Sequence, residues 1–169
     1  MPKTRASSPT PDRNTPADLR SAQKLALQLM PDDGNLDVFV DRLAEHRHRP
    51  IVVQTTTGMS LSGQTLAFDS VDRISLLDAP PGQLRQALCH EIAHLLLGHL
   101  DHDDLPLDTT LAELTGIDVA TVRRFLTRHA YDTPQEADAE RLATSLRSES
   151  DRRARKAQQR DDPRADRLI

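Results

Sequence analysis

The segment His90-Glu91-Ile92-Ala93-His94 places two imidazoles four residues apart, with a carboxylate directly after the first. On a helix, residues i and i+4 stand one above the other on the same face. His90 and His94 can therefore each offer a ring nitrogen to one tetrahedral zinc ion. Glu91 then lies beside that metal without ligating it, placed to take a proton from a zinc-bound water and pass it to a leaving amine. The chemistry so equipped is metal-assisted hydrolysis of a peptide bond. The bland alternative is a pair of packed histidines on an aliphatic helix. Against it stands Glu91, a carboxylate among Leu, Ile and Ala that is costly to bury without a partner or a task.

Two histidines do not complete a catalytic zinc site, which takes three protein ligands and leaves a position for water. The extended pattern with a third histidine after an intervening glycine is absent: Gly98 falls four residues after His94 and His99 five. A carboxylate from a later helix is the remaining source. Glu136, in Glu136-Ala137-Asp138-Ala139-Glu140-Arg141-Leu142-Ala143, is the candidate ligand, and Asp138 the fallback on a different helical face. Glu140, one turn on, is placed to hydrogen-bond the far nitrogen of a ligand histidine. An ordinary first-turn acid favoured by the helix dipole is the rival account of Glu136. Tyr131, the single tyrosine, is a candidate oxyanion stabiliser or a packing residue. His99, His102, Asp101, Asp103 and Asp104 suggest either a second metal site or, as the favoured reading, a solvated loop.

These groups must be positioned by a chain of 169 residues, 37% hydrophobic and 2% aromatic, which suits one domain with a modest aliphatic core. The formal charge of -4 argues against a surface built for nucleic acid. The single cysteine, Cys89, excludes an intramolecular disulfide, fits a reducing compartment and reads as a small core residue. No secretory signal and no membrane-length apolar run is present, so a cytoplasmic protein is expected.

Residues 1–17, rich in Pro, Ser, Thr and charge, read as disordered. The domain is expected over 18–146, and 147–169 as a charged tail, disordered or a solvated helix. Within the domain, helices are predicted over Asp18 to Met30 (Leu19, Leu25, Ala26 and Leu29 inward) and Leu36 to His46 (Val38, Leu43 and Ala44 inward). Strands follow at Ile51 to Thr57, Gln64 to Phe68 and Arg73 to Leu77, with a tight turn over Asp69 to Asp72. Together these make a three-stranded antiparallel sheet packed against the motif helix. Pro80-Pro81-Gly82 opens that helix, Gln83 to Leu97, and Gly98 stops it. Further helical stretches are expected at Leu111 to Leu114, Val119 to His129 and, after Thr133-Pro134, Gln135 to Leu146, whose Ala139, Leu142, Ala143 and Leu146 can pack on the motif helix. Thr115 to Arg128 faintly echoes a turn and DNA-recognition helix, and the basic residues Arg152, Arg153, Arg155, Lys156 and Arg160 read as a solvated segment. The fold class is α+β and mostly helical.

Between Leu36 and Leu146 the chain resembles the ImmA/IrrE-type zinc metallopeptidases. The resemblance is carried by Leu61-Ser62-Gly63-Gln64-Thr65-Leu66, by Ile74-Ser75-Leu76, by the run Leu84 to Leu97 that contains the motif, and by Glu136 to Leu146. The sequence departs from the family at Glu140, often Asn or Asp there, at Leu142, often Phe, and in lacking its Leu-Leu-Met-Pro-like ending. The resemblance implies a zincin-like domain holding one Zn²⁺ through His90, His94 and Glu136, with Glu91 as catalytic base. It further implies a regulatory protease that cuts a protein partner, often a helix-turn-helix repressor, in transcriptional control under stress. The alternative is a zinc-stabilised module that sequesters a partner or contacts DNA without cutting.

Overall fold

A computed structural model describes residues 18–59, 61–67, 70–99 and 133–160. The described elements run α1 (Leu19–Leu29), α2 (Leu36–Arg47), β1 (Ile51–Thr56), β2 (Gly63–Ala67), β3 (Asp72–Leu77), α3 (Pro81–Leu96) and α4 (Thr133–Arg160). The expected N-terminal segment 1–17, the loop Asp101 to Asp108, the helical stretches between Leu111 and His129, and Tyr131 lie outside the described residues.

Local chemistry sets the helix ends. The Asp18 carboxylate accepts from the Ser21 backbone N–H at 2.9 Å and caps α1, and Asn35 Oδ1 accepts from Asp37 and Val38 to cap α2. Pro81 occupies the first turn of α3, where a missing N–H removes no helical hydrogen bond. The inner face of α1 is Ala22 and Ala26, with Leu19, Leu25 and Leu29 flanking. On α2 the buried set is Leu36, Phe39, Val40 and Leu43, while Val38, expected inward, is exposed. The reason is phase: Leu36, Phe39, Val40 and Leu43 follow the i, i+3, i+4, i+7 stripe, and Val38 falls off it.

The sheet is mixed, which corrects the antiparallel expectation. Its order is β1-β3-β2, with β2 antiparallel to β3 and β1 parallel to β3. The third described strand, β3, lies in the middle and buries Asp72, Ile74 and Leu76 on one face. Polar, β-branched β1 takes the outer position, with Val52 and Val53 both exposed.

Helix α3 runs across β2 and β3 and along α4. Its buried residues Leu88, Ile92, Leu95 and Leu96 meet Ala139, Leu142, Ala143 and Leu146, the set expected to face it. Beside that apolar seam runs a polar one. Arg147 donates to Gln86 at 3.1 Å, Gln86 donates to Glu140 at 3.4 Å, and Arg85 donates to Ser150 Oγ at 2.6 Å. Helix α4 thus continues past the expected boundary at Leu146. Ser150 is fully buried and donates to the Gly34 carbonyl, and Arg153 reaches the Met30 and Leu27 carbonyls at the end of α1.

A buried ion cluster ties the sheet to the helices. Asp72 is fully buried and faces Arg47 Nε at 3.2 Å and Arg49 Nε at 2.9 Å. The other arm of Arg47 donates to the Leu95 carbonyl at 3.1 Å, near the end of α3. Among the described residues, no helix is long and apolar enough to cross a membrane.

Candidate metal centre

Helix α3 carries His90, Glu91 and His94 on adjacent turns, and the N-terminal turn of α4 delivers Glu136 to the two histidines. His90 Nε2 and His94 Nε2 lie 3.0 Å apart. Glu136 Oε2 is 3.5 Å from His90 Nε2, and its Oε1 is 3.5 Å from His94 Nε2. A tetrahedral zinc ion with bonds of 2.0–2.1 Å spaces its ligand atoms by roughly 3.3 Å. The three groups therefore match the edge length such an ion requires, and they could hold one. Among the described residues, they are the group of His, Cys, Asp or Glu so arranged.

The outer nitrogens of both histidines are matched as well. His90 Nδ1 faces Glu140 Oε2 at 3.3 Å, and His94 Nδ1 faces His99 Nδ1 at 3.0 Å. When each Nδ1 carries the proton and donates outward, both Nε2 atoms turn lone pairs toward the same point. Two lone pairs 3.0 Å apart repel, and a cation between them converts that repulsion into coordination. The donor set is thus suited to a metal.

Glu91, on the flank of the same helix face, is held against the sheet. It is 2% exposed, and its Oε2 accepts the Thr65 hydroxyl at 2.7 Å. Gly63, two residues earlier on β2, passes so close that a Cβ there would stand 2.8 Å from Glu91 Oε1. A side chain at 63 would occupy the space the carboxylate fills.

The site residues proposed from sequence therefore fall into three groups. His90, His94 and Glu136 converge; Glu140 supports His90; Glu91 is held against β2. Asp138, the fallback ligand, pairs with Arg141 at 2.9 Å. Tyr131, with His102 and the acids of the same loop, lies outside the described residues. His99, expected in a solvated loop, is instead buried against His94. Sequence reasoning missed the parts played by His99, Thr65 and Gly63. The Gly98-His99 pair, standing where a helix-ending turn folds back on His94, was the signal for the first. Nothing local marked the other two, because strand register brings them to Glu91.

Cys89, beside His90 in sequence, is fully buried, and burial pushes its thiol up to about 12. It behaves as a small apolar core residue and not as a thiolate ligand. Comparisons of the chain with family models, curated proteins and solved structures gave no match.

Proposed function

We propose that this protein is a zinc metallopeptidase of the ImmA/IrrE type. The observation that carries the reading is the convergence of His90 Nε2, His94 Nε2 and the Glu136 carboxylate, 3.0 to 3.5 Å apart. These three residues would hold Zn²⁺. When bound, zinc supplies Lewis acidity and lowers the pKa of its water to about 7. Glu91 accepts the proton of the attacking water and returns it to the leaving nitrogen. Glu140 keeps His90 in the orientation that ligation needs. The reading is supported by the burial of His94 and Glu91, both almost fully enclosed, since charge interactions are strong in a low-dielectric setting.

The substrate belongs to the same proposal and follows from the resemblance to the family: a protein partner, with a cytoplasmic helix-turn-helix repressor as the favoured candidate. Zinc analysis of protein purified without chelator tests the core of the reading. One equivalent is expected for wild type, and substantial loss for His94→Ala and Glu136→Ala. Glu91→Gln should keep the metal and abolish cleavage of the partner. Wild-type protein that neither carries a transition metal nor takes one up on titration overturns the proposal. Full activity in Glu91→Gln removes Glu91 from its role, and metal-dependent partner inhibition surviving that change identifies a sequestering module.

A further inference from the structure

Helix α3 ends in a specific hydrogen-bonded turn. Gly98 adopts the left-handed conformation, with φ of 69°, and its N–H donates to the Leu95 carbonyl at 3.3 Å. The His99 N–H donates to the His94 carbonyl at 3.1 Å. This pair of bonds is the Schellman arrangement, in which the second residue past the cap folds back onto the residue five positions earlier, normally through an apolar contact. Here those two positions are His99 and His94. Their Nδ1 atoms are 3.0 Å apart, their ring centroids 5.1 Å apart, and their planes inclined at 64°. His99 and His94 are 5% and 3% exposed. A leucine would satisfy the turn; a buried imidazole is worth retaining where its nitrogen has work.

We infer that His99 is a positioning residue for the metal site, accepting the Nδ1 proton of His94 and so turning His94 Nε2 toward the ligand cluster. This inference rests on the zinc reading of that cluster. An acceptor on the far nitrogen fixes which nitrogen faces a metal and raises the ligand's basicity. The two ligand histidines are served differently. His90, half-buried, donates to the exposed carboxylate of Glu140, where solvent screens the charge. His94 lies in the interior, close to Glu136 and one turn from Glu91. A buried carboxylate there would add negative charge beside the buried Glu91 and the partly exposed Glu136, whereas a neutral imidazole accepts the proton with no added charge. The helix-ending turn supplies that acceptor from the same strand of backbone that carries the ligand.

Three variants compared with wild type test this. His99→Leu keeps the turn and an apolar contact but removes the acceptor. His99→Asn places Oδ1 where His99 Nδ1 stands and restores an acceptor, and Glu140→Gln reports on the His90 side. Zinc affinity is measured by competition with a chromogenic chelator, and ligand geometry by the visible absorption of the Co²⁺-loaded protein. The metal-free melting temperature is measured in parallel. The expected outcome is a 10- to 100-fold loss of zinc affinity in His99→Leu, a changed Co²⁺ spectrum, a metal-free melting temperature no lower than wild type, and recovery of part of the affinity in His99→Asn. Long-range ¹⁵N–¹H correlation on the zinc-loaded wild type should find the His94 proton on Nδ1.

Wild-type affinity in His99→Leu overturns the inference and leaves the zinc reading standing. Equal losses in His99→Leu and His99→Asn, with a lowered metal-free melting temperature, identify a packing residue and overturn it too. A His94 proton found on Nε2 does the same. A wild type that binds no zinc overturns the parent reading, and this inference with it.

Discussion

The Thr65 hydroxyl donates to Glu91 Oε2 across 2.7 Å, in a place where both residues are almost completely buried. A hydrogen bond to a buried charge contributes about 1.5–3 kcal/mol. Thr65→Val should therefore lower stability by that order in chemical denaturation. If the proposed peptidase reading holds, it should also slow cleavage of the partner protein about tenfold or more, with zinc content unchanged and Thr65→Ser close to wild type. Gly63→Ala should act on the same carboxylate by crowding it, lowering turnover while zinc binding persists. Wild-type turnover in both Thr65→Val and Gly63→Ala would show that β2 does not set the working position of Glu91.

Asp72 joins α2, the sheet and the end of α3 through two arginines. Removing one partner of a buried ion pair costs about 3–5 kcal/mol, because the other charge is left in the interior. Arg47 and Arg49 retain some exposure, so Asp72→Ala is expected near the lower end of that range by urea denaturation. A change below about 1 kcal/mol would mean that solvent reaches the arginines in place of Asp72.

Glu149 predicts a pH dependence. Its hydrogen bonds from Arg152 and Arg153, against a smaller opposing effect of burial, hold its carboxyl at about 2. The folded pKa lies below the unfolded value near 4.5, so the group contributes stability that is complete above about 4.5 and is lost as pH falls toward 2. Glu149→Gln should therefore be less stable than wild type at pH 6, with the gap narrowing below pH 4.5 and closing near pH 2. A gap of constant size from pH 6 to 3 would place the effect in packing instead.

Cys89 should resist modification in the folded protein. With its thiol buried and pushed up to about 12, little thiolate exists at pH 8. Labelling by a disulfide reagent is expected only at the rate of unfolding, and to be rapid in denaturant. Rapid labelling under native conditions would reveal opening of α3 away from its neighbours.

The parts of this architecture legible in the sequence were those written in a single element. The i, i+4 histidines of α3 and the Ala139, Leu142, Ala143, Leu146 stripe of α4 announce their faces directly. Glu136 was reachable because zinc chemistry demands a third ligand, which narrowed the search to acids on a later helix. What failed was written between elements. Alternation identifies strands but not their order, so the parallel pairing of β1 with β3 was invisible, as was the approach of Gly63 and Thr65 to Glu91. Asp72 read as a turn residue because nothing local reveals that two arginines converge on it. Residues 147–160 read as a solvated helix or a disordered tail; the helix is present, but its packing was hidden because the segment packs through Ser150 and Arg153 and not through leucines.

Glu136 and Arg153 stand on one unbroken helix, separated by 17 residues and so by about 25 Å of rise. At one end the helix offers a carboxylate to two histidines; at the other it is bolted to the carbonyls that close α1. A beam fastened at its far end resists swinging at its near end. Proteolytic trimming after Leu146 would turn that beam into a cantilever and loosen the approach of Glu136 to His90 and His94.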